Sequence, residues 1–230
     1  MSKVGKNHRN AKESFGSQEV LPLEKALQVV IDAKHVKFDE SVDADIVLGI
    51  DAAKGEQNVR GSVLLPHGIG KEVRVLAFVK GENEDAAKEA GADFVGAEDL
   101  IEKIQGGWLD FDAAVATPDM MGLVGKVARV LGPRGLLPNA KVGTVTPNIK
   151  QVVTDLKKGR VSYRNDKGGV LHAPFGRVSF GADKLKDNFV SFLKSLSADK
   201  PATSKGKFIR KISISSTMGI GVEVDVDGII

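Results

Sequence analysis

The sequence predicts an α/β protein in which residues 1–67 and 160–230 form one discontinuous α+β domain, and residues 68–159 form a three-layer α/β domain inserted between them. Three observations predict it. Apolar strands and amphipathic helices alternate regularly only in the middle of the chain, the grammar of a mostly parallel sheet covered on both faces. The outer segments carry antiparallel-strand patterns, and neither alone holds a full core. Turn residues mark both changes of pattern, at Pro66-His67-Gly68 and Gly159-Arg160.

In chain order, Leu23, Ala26, Leu27, Val30 and Ile31 recur at helical spacing from Pro22 to about His35. Ile46, Leu48 and Ile50 then alternate with Val47 and Gly49, and Val59 to Leu65 is a second β-rich run. In the middle segment, Val73 to Val79, Ala92 to Val95 and Ala113 to Ala116 read as buried strands. Helices are expected over Asn83 to Ala90, Ala97 to Gln105, Pro118 to Leu131 and Asn148 to Lys158, the last capped by Thr146. Beyond Arg160, strands at Val161 to Arg164 and Val170 to Phe180 flank the turn-rich Asn165-Asp166-Lys167-Gly168-Gly169. A helix from Asp183 to Leu196 and strands at Phe208 to Ser215 and Val222 to Val226 complete the chain. An inserted domain requires two chain crossings, near 66–68 and 158–160, and a pair of crossings forms a natural hinge.

Composition excludes several classes of function. The 230 residues contain no cysteine, so disulfides, thiolate zinc sites and thiol catalysis are ruled out. No apolar run approaches the ~20 residues that span a bilayer, and Met1 to Lys12 lacks the apolar stretch of a secretory signal. These features predict a soluble, cytoplasmic protein without a membrane partner. The net charge of +3 is unevenly divided: residues 1–67 and 68–159 each sum to −1 and residues 160–230 to +5. Lys3, Lys6, Arg9 and Lys12 form a second basic patch at the start. Such charge attracts polyanions, although a solvated basic surface has the same composition.

The middle segment invites an enzyme reading that its motifs do not support. His67-Gly68-Ile69-Gly70-Lys71 and Gly122-Leu123-Val124-Gly125-Lys126 resemble phosphate loops, but Glu72 and Val127 stand where a hydroxyl is needed. The first strand-to-helix turn reads Lys80-Gly81-Glu82-Asn83-Glu84, whose carboxylates repel a pyrophosphate. His8, His35, His67 and His172 lack metal-ligand spacing, and no serine sits in a nucleophile elbow. No catalytic residue, cofactor or metal is assigned. The run Leu131-Gly132-Pro133-Arg134-Gly135-Leu136-Leu137-Pro138-Asn139 fixes several dihedrals at once. It reads either as a rigid turn or as a support that places Arg134 and Lys141 on RNA, the first reading being favoured.

Met120-Met121-Gly122-Leu123-Val124-Gly125-Lys126 followed by Leu131 to Asn139 resembles the signature of the bacterial large-subunit ribosomal protein L-one family. The likeness extends to Lys37-Phe38-Asp39-Glu40, Gln57-Asn58-Val59-Arg60-Gly61, Leu65-Pro66-His67-Gly68, Gly107-Trp108-Leu109-Asp110-Phe111-Asp112, Arg164-Asn165-Asp166-Lys167 and Ser216-Thr217-Met218-Gly219. The resemblance implies a discontinuous first domain and a Rossmann-like second domain with a hinge between them. It implies a structural constituent of the large ribosomal subunit, monomeric off the ribosome, that binds ribosomal RNA at the mobile stalk. Release of exit-site transfer RNA and repression of translation of its own messenger RNA are also implied.

The same resemblance maps RNA binding onto Lys37, Phe38, Arg164, Asp166, Lys167, His172, Thr217, Met218 and Gly219. Lys37, Arg164 and Lys167 can meet phosphates, and Phe38 can cover an RNA surface with its ring. Asp166 can accept from a ribose 2′-hydroxyl or a base amine. Lys3, Lys6, Arg9 and Lys211 are secondary candidates for backbone contacts; some family members carry a small polar residue where Lys211 stands. Alternation predicts Ile212 and Ile214 inward and Lys211, Ser213 and Ser215 outward, leaving Thr217 at an exposed strand end. On its own residues, Met218 reads as core filling; the resemblance puts it on the RNA face. A nucleotide-dependent enzyme and a basic protein-interaction scaffold are the competing classes.

Overall fold

The computed structural model describes residues 5–15, 20–204 and 206–226. The chain splits into two units, Met1–Gly70 with Val161–Ile230 (unit 1) and Lys71–Arg160 (unit 2). Along the chain run α1 (Lys6–Phe15), α2 (Leu23–Asp32), β1 (Ser41–Leu48) and β2 (Arg60–Leu64). Unit 2 continues with β3 (Val75–Phe78), α3 (Glu82–Glu89), β4 (Phe94–Gly96), α4 (Glu98–Gln105), β5 (Ala113–Ala116), α5 (Met121–Val124), α6 (Ala128–Leu131) and α7 (Ile149–Lys157). Then follow β6 (Arg160–Arg164), β7 (Val170–Arg177), α8 (Gly181–Ala198), β8 (Ile209–Ser216) and β9 (Val222–Val224).

In unit 1 an antiparallel sheet has the order β7-β1-β8-β9. Period-two alternation sends Val42, Ala44, Ile46 and Leu48 of β1 into the core with Leu171, Ala173 and Phe175 of β7 and Ile212 and Ile214 of β8. Helices α2 and α8 close this inner face. Leu23, Ala26, Leu27 and Val30 supply the stripe of α2, and Leu185, Phe189, Phe192, Leu193 and Leu196 that of α8. Each leucine, valine and phenylalanine among them contributes about 1.5–3 kcal/mol on burial. The outer sheet face is polar, with Asp43, Asp45, His172, Lys211, Ser213, Ser215 and Glu223. Strands β2 and β6 form a separate two-stranded ribbon. There Tyr163 donates to Asp199 at 2.5 Å, and burial together with that bond raises the phenol's pKa.

Asn188 on α8 is fully buried and satisfied three ways. Its Oδ1 accepts from His67 N–H at 3.0 Å, and its Nδ2 donates to the carbonyls of Gly68 and Phe175 at 2.9 Å each. Leu65 to Gly68, an irregular stretch, thereby finds partners that a sheet would otherwise supply.

Unit 2 is a parallel sheet in the order β4-β3-β5, with both faces buried. Val75 and Ala77 pack toward α3 and α7, whereas Leu76 and Phe78 pack toward α4, α5 and α6. The result is the three-layer arrangement expected of an unbroken apolar run. Near its start Asp112 accepts from Lys71 Nζ at 2.7 Å and Arg74 Nε at 3.0 Å. The Lys71 bond, reinforced by Arg74, holds this carboxyl at about 2.

Several expected elements differ. The helix expected over Pro118 to Leu131 is broken into short α and 3₁₀ pieces, α5 and α6 among them, as Gly122 and Gly125 weaken the helical ladder. Strand β1 begins at Ser41, five residues earlier than expected, because Asp43 and Asp45 disguise its outward positions. The last residues of the strand expected to Phe180 turn into a 3₁₀ helix over Val178–Phe180. Helix α1 has no counterpart among the expected elements; its residues are mostly polar. Asn148 N–H does donate to Thr146 Oγ1, at 3.1 Å, just before α7.

Asn188→Ala should lower the unfolding free energy of unit 1 by roughly 2–3 kcal/mol, since buried groups lose their partners; denaturant titration measures it. Asp112 titrates lower in the folded chain than in the unfolded one, so its contribution is complete above about pH 4 and is lost as pH falls toward about 2. The stability difference between wild type and Asp112→Asn should therefore shrink over that window in acid-unfolding curves.

Candidate nucleic-acid interface

Strand β1 brings the two segments of unit 1 together at one end of the sheet. Thr217 follows β8 and lies beside Ser41, the first residue of β1. Thr217 N–H donates to Ser41 O at 3.1 Å, Ser41 N–H donates to Thr217 Oγ1 at 3.2 Å, and the two hydroxyls lie 3.0 Å apart. The following N–H, of Met218, donates to Glu40 Oε2 at 3.2 Å. Glu40 is buried, so a carboxylate beneath the turn holds it from below. Gly219 N–H donates to Ser216 O at 3.2 Å, and a Cβ on Gly219 would overlap the Ser216 hydroxyl. The turn is thus held by three successive residues, and a side chain at its third position would have to push the Ser216 hydroxyl aside.

Met218 is 51% exposed and Phe38 is 53% exposed. Core filling is excluded for Met218, and two large apolar side chains meet solvent on segments that flank Glu40. Lys37 is exposed and has no ion-pair partner among the described residues. The segment bearing Lys37 and Phe38 is fixed through Asp39, which accepts from Ser179 N–H at 3.1 Å and Ser179 Oγ at 2.7 Å. Arg177 adds a bond to Asp39 O at 3.0 Å.

A second group lies at the β6–β7 turn. Asp166 Oδ1 accepts from both Gly168 N–H and Val170 N–H at 2.8 Å, so this carboxylate builds the turn with one oxygen. Asn165 is buried; its Oδ1 accepts from Val59 N–H at 2.8 Å. Arg164 and Lys167 project as exposed cations without ion-pair partners among the described residues. With Ala52, Asn58, Asn165 and Asp166 they line an open cavity of about 550 Å³.

Between these groups the outer sheet face is more acidic than charge counting implies. His172 Nδ1 lies 2.6 Å from Asp45 Oδ1, and its strand partner on β1 is Asp45 itself. Burial, with Asp45 nearby, raises the Asp43 carboxyl above its ordinary range despite the Ser41 hydroxyl. The Lys211 ammonium is met by Glu223. Much of the basic excess of residues 160–230 lies elsewhere: Lys184, Lys186 and Lys194 sit on α8, which covers the opposite face of the sheet. Lys6 and Arg9 are exposed on α1, and Lys3 lies outside the described residues. Sequence reading overlooked Ser41 and Glu40 as supports of Thr217 and Met218; only their place in or beside the Lys37-Phe38-Asp39-Glu40 motif could have signalled them.

No three His, Asp or Glu side chains gather as a metal site among the described residues. None of their helices is long and apolar enough to cross a membrane.

A polar end of the sheet assembled from both segments of unit 1, in a chain whose α/β unit has no phosphate-loop motif, fits a nucleic-acid-binding protein better than an enzyme. The sequence model of the Ribosomal protein L1p/L10e family matches residues 30–220, and the chain belongs to that family of ribosomal, non-enzymatic proteins. Large ribosomal subunit protein uL1 of Desulfotalea psychrophila is 53% identical over 225 residues, 98% of this chain and 96% of that protein. Its counterparts, also called Large ribosomal subunit protein uL1, are 54% identical over 225 residues in Nitratidesulfovibrio vulgaris and 52% over 222 residues in Bdellovibrio bacteriovorus. Those alignments cover 98% and 96% of this chain and 96% and 95% of the relatives.

Gly219→Ala should destabilise unit 1 by about 1–3 kcal/mol through overpacking against Ser216. Thermal unfolding read at the tyrosine or by circular dichroism will report it.

Proposed function

We propose that this chain is a constituent of the large ribosomal subunit that binds large-subunit ribosomal RNA through unit 1. The observation that carries the reading is the Thr217-Met218-Gly219 turn, which holds an exposed methionine above a buried carboxylate while Phe38 and Lys37 stand exposed on the adjoining segment. Thr217 and the turn backbone offer polar contacts, Met218 and Phe38 offer apolar surface to ribose and base, and Lys37, Arg164 and Lys167 meet phosphates. His172 and the remaining oxygen of Asp166 add acceptor or donor groups to the same domain. The acidic Asp43 and Asp45 make the sheet face between them unfavourable for a phosphate, so the RNA engages the two ends rather than the centre.

Transfer RNA at the exit site and the chain's own messenger RNA are further proposed partners, supported by the family resemblance alone. The reading places the protein on the ribosome in the cytoplasm, with unit 2 as an arm rather than a catalytic domain. The proposed hinge lies near 66–68 and 158–160, close to where the chain divides into its two units after Gly70 and after Arg160. Gly68 is fastened to Asn188 on one side of the first crossing and Lys71 to Asp112 on the other.

Thr217→Ala and Met218→Asp should leave the fold intact and weaken binding to a stalk ribosomal RNA fragment by roughly 1–3 kcal/mol for each base or ribose interaction removed. Filter binding against that fragment, an unrelated RNA and a nucleotide, each across a salt series, checks it; unchanged affinity in a folded variant would sink the site.

A further inference from the structure

The inner face of the unit 1 sheet is apolar until it reaches the Thr217-Met218-Gly219 turn. Val42, Ala44 and Ile46 of β1 and Ile212 and Ile214 of β8 are fully buried, and each alternation then runs into a polar residue, Glu40 on one side and Ser216 on the other. Both are buried, Glu40 completely. Each keeps a buried side-chain oxygen without a hydrogen-bond partner among the described residues, Glu40 Oε1 and Ser216 Oγ. No cation among the described residues pairs with the carboxylate; Arg177, which stands opposite Ser41 on β7, is engaged by Asp39. A half-satisfied carboxylate in a core is costly, and a glutamine would fill the same space without the charge. Departures of this kind from good packing are expected where a binding surface requires them.

The hydrogen bonds show what the carboxylate does to the turn. All three of its N–H groups are used inside the protein: Thr217 N–H donates to Ser41 O, Met218 N–H to Glu40 Oε2 and Gly219 N–H to Ser216 O. The Thr217 hydroxyl is occupied on its inner side as well. It accepts from Ser41 N–H and lies 3.0 Å from Ser41 Oγ and 3.4 Å from Ser41 O, two acceptors for its own proton. The carbonyls of Thr217 and Met218 accept no hydrogen bond among the described residues, and both residues are exposed. The turn thus offers acceptors to a ligand and keeps its donors to itself. A phosphate brings acceptors and negative charge, the wrong match on both counts. Ribose 2′-hydroxyls and base amino or imino groups bring donors.

We propose that Glu40 is a specificity-determining residue of RNA binding: by taking up the middle N–H of the turn and placing a carboxylate beneath it, Glu40 makes the turn receive hydrogen-bond donors of RNA and turn phosphates away. The proposal rests on the reading that unit 1 binds large-subunit ribosomal RNA. Its subject is selection rather than attraction. Every nucleic acid brings phosphates, whereas 2′-hydroxyls come with RNA alone. Glu40 itself meets no RNA and acts through Met218, so it is a positioning residue.

The test compares the full chain with Glu40→Gln, which keeps the shape and an acceptor for Met218 N–H but removes the charge. The probes are a stalk ribosomal RNA fragment and DNA of the same sequence, measured by filter binding at one salt concentration. Wild type should prefer the RNA. In Glu40→Gln that preference should narrow on the order of tenfold, the effect of one charge several ångströms from a phosphate near a protein surface, chiefly through tighter binding of the DNA. Denaturant unfolding separates selection from scaffolding: the midpoint of Glu40→Gln should equal or exceed that of wild type, because an uncompensated buried charge is gone. A variant that unfolds earlier or fails to fold shows a structural role and overturns the proposal. A preference present in wild type and undiminished in the folded variant also overturns it, and leaves the reading of unit 1 standing; a wild type without the preference overturns both. Wild type alone supplies a second measurement. Where a single 2′-deoxy replacement in the stalk fragment weakens binding to wild type but not to Thr217→Ala, an uncharged methylphosphonate at the same nucleotide should leave affinity equal or higher, and a loss there refutes the rejection of phosphate.

Discussion

Strand β1 is the constraint on which unit 1 depends. It lies between β7 and β8 and pairs antiparallel with both, so residues 41–48 are bonded to partners more than 120 positions away. Its register sets the whole sheet. Shifting it by one residue would put Asp43 and Asp45 into the core and Val42 and Ala44 into water. The same register places Ser41 against Thr217 and Asp45 against His172. Core packing and the outer surface are therefore two readings of one alignment, and the inner face, closed by α2 and α8, holds it in place.

This dependence explains what could and could not be read from the chain. The inward residues of α2, α8 and β8 stand out because their periodicity is pure, and the parallel sheet of unit 2 stands out because its strands are apolar on both faces. The start of β1 does not stand out. Asp43 and Asp45 are poor strand formers tolerated there only by tertiary pairing, which no local pattern contains. Glu40 was invisible as a support for the same reason: a buried carboxylate that accepts from Met218 N–H is a long-range fact, 178 positions apart along the chain. Charge counting erred in another way, since summing along the sequence merges residues on opposite sides of a sheet. Lys186 and His172 belong to the same basic third, yet one pairs with Glu24 on α2 and the other faces Asp45.

Asp166 shows how a residue's chemistry can be read from the sequence while its geometric task stays hidden. On charge alone a carboxylate is an odd component of an RNA surface. In the structure two backbone N–H groups share its Oδ1, an arrangement that shapes the turn and directs Arg164 and Lys167 outward. Its first task is geometric. Gly169, with φ at +76°, completes that turn in a conformation most side chains avoid. The cations gain from this because a side chain whose backbone is already ordered loses less entropy when it meets a phosphate.

Specific recognition and generic attraction make opposite demands on a surface. Discrimination among RNAs needs contacts that fit one arrangement of groups, which favours a rigid, partly apolar site such as the Thr217-Met218-Gly219 turn. Attraction to any RNA needs only unpaired cations, and it weakens steeply with salt. On the proposed reading, the acidic Asp43 and Asp45 limit generic attraction in unit 1, so that a poorly matched RNA gains little there.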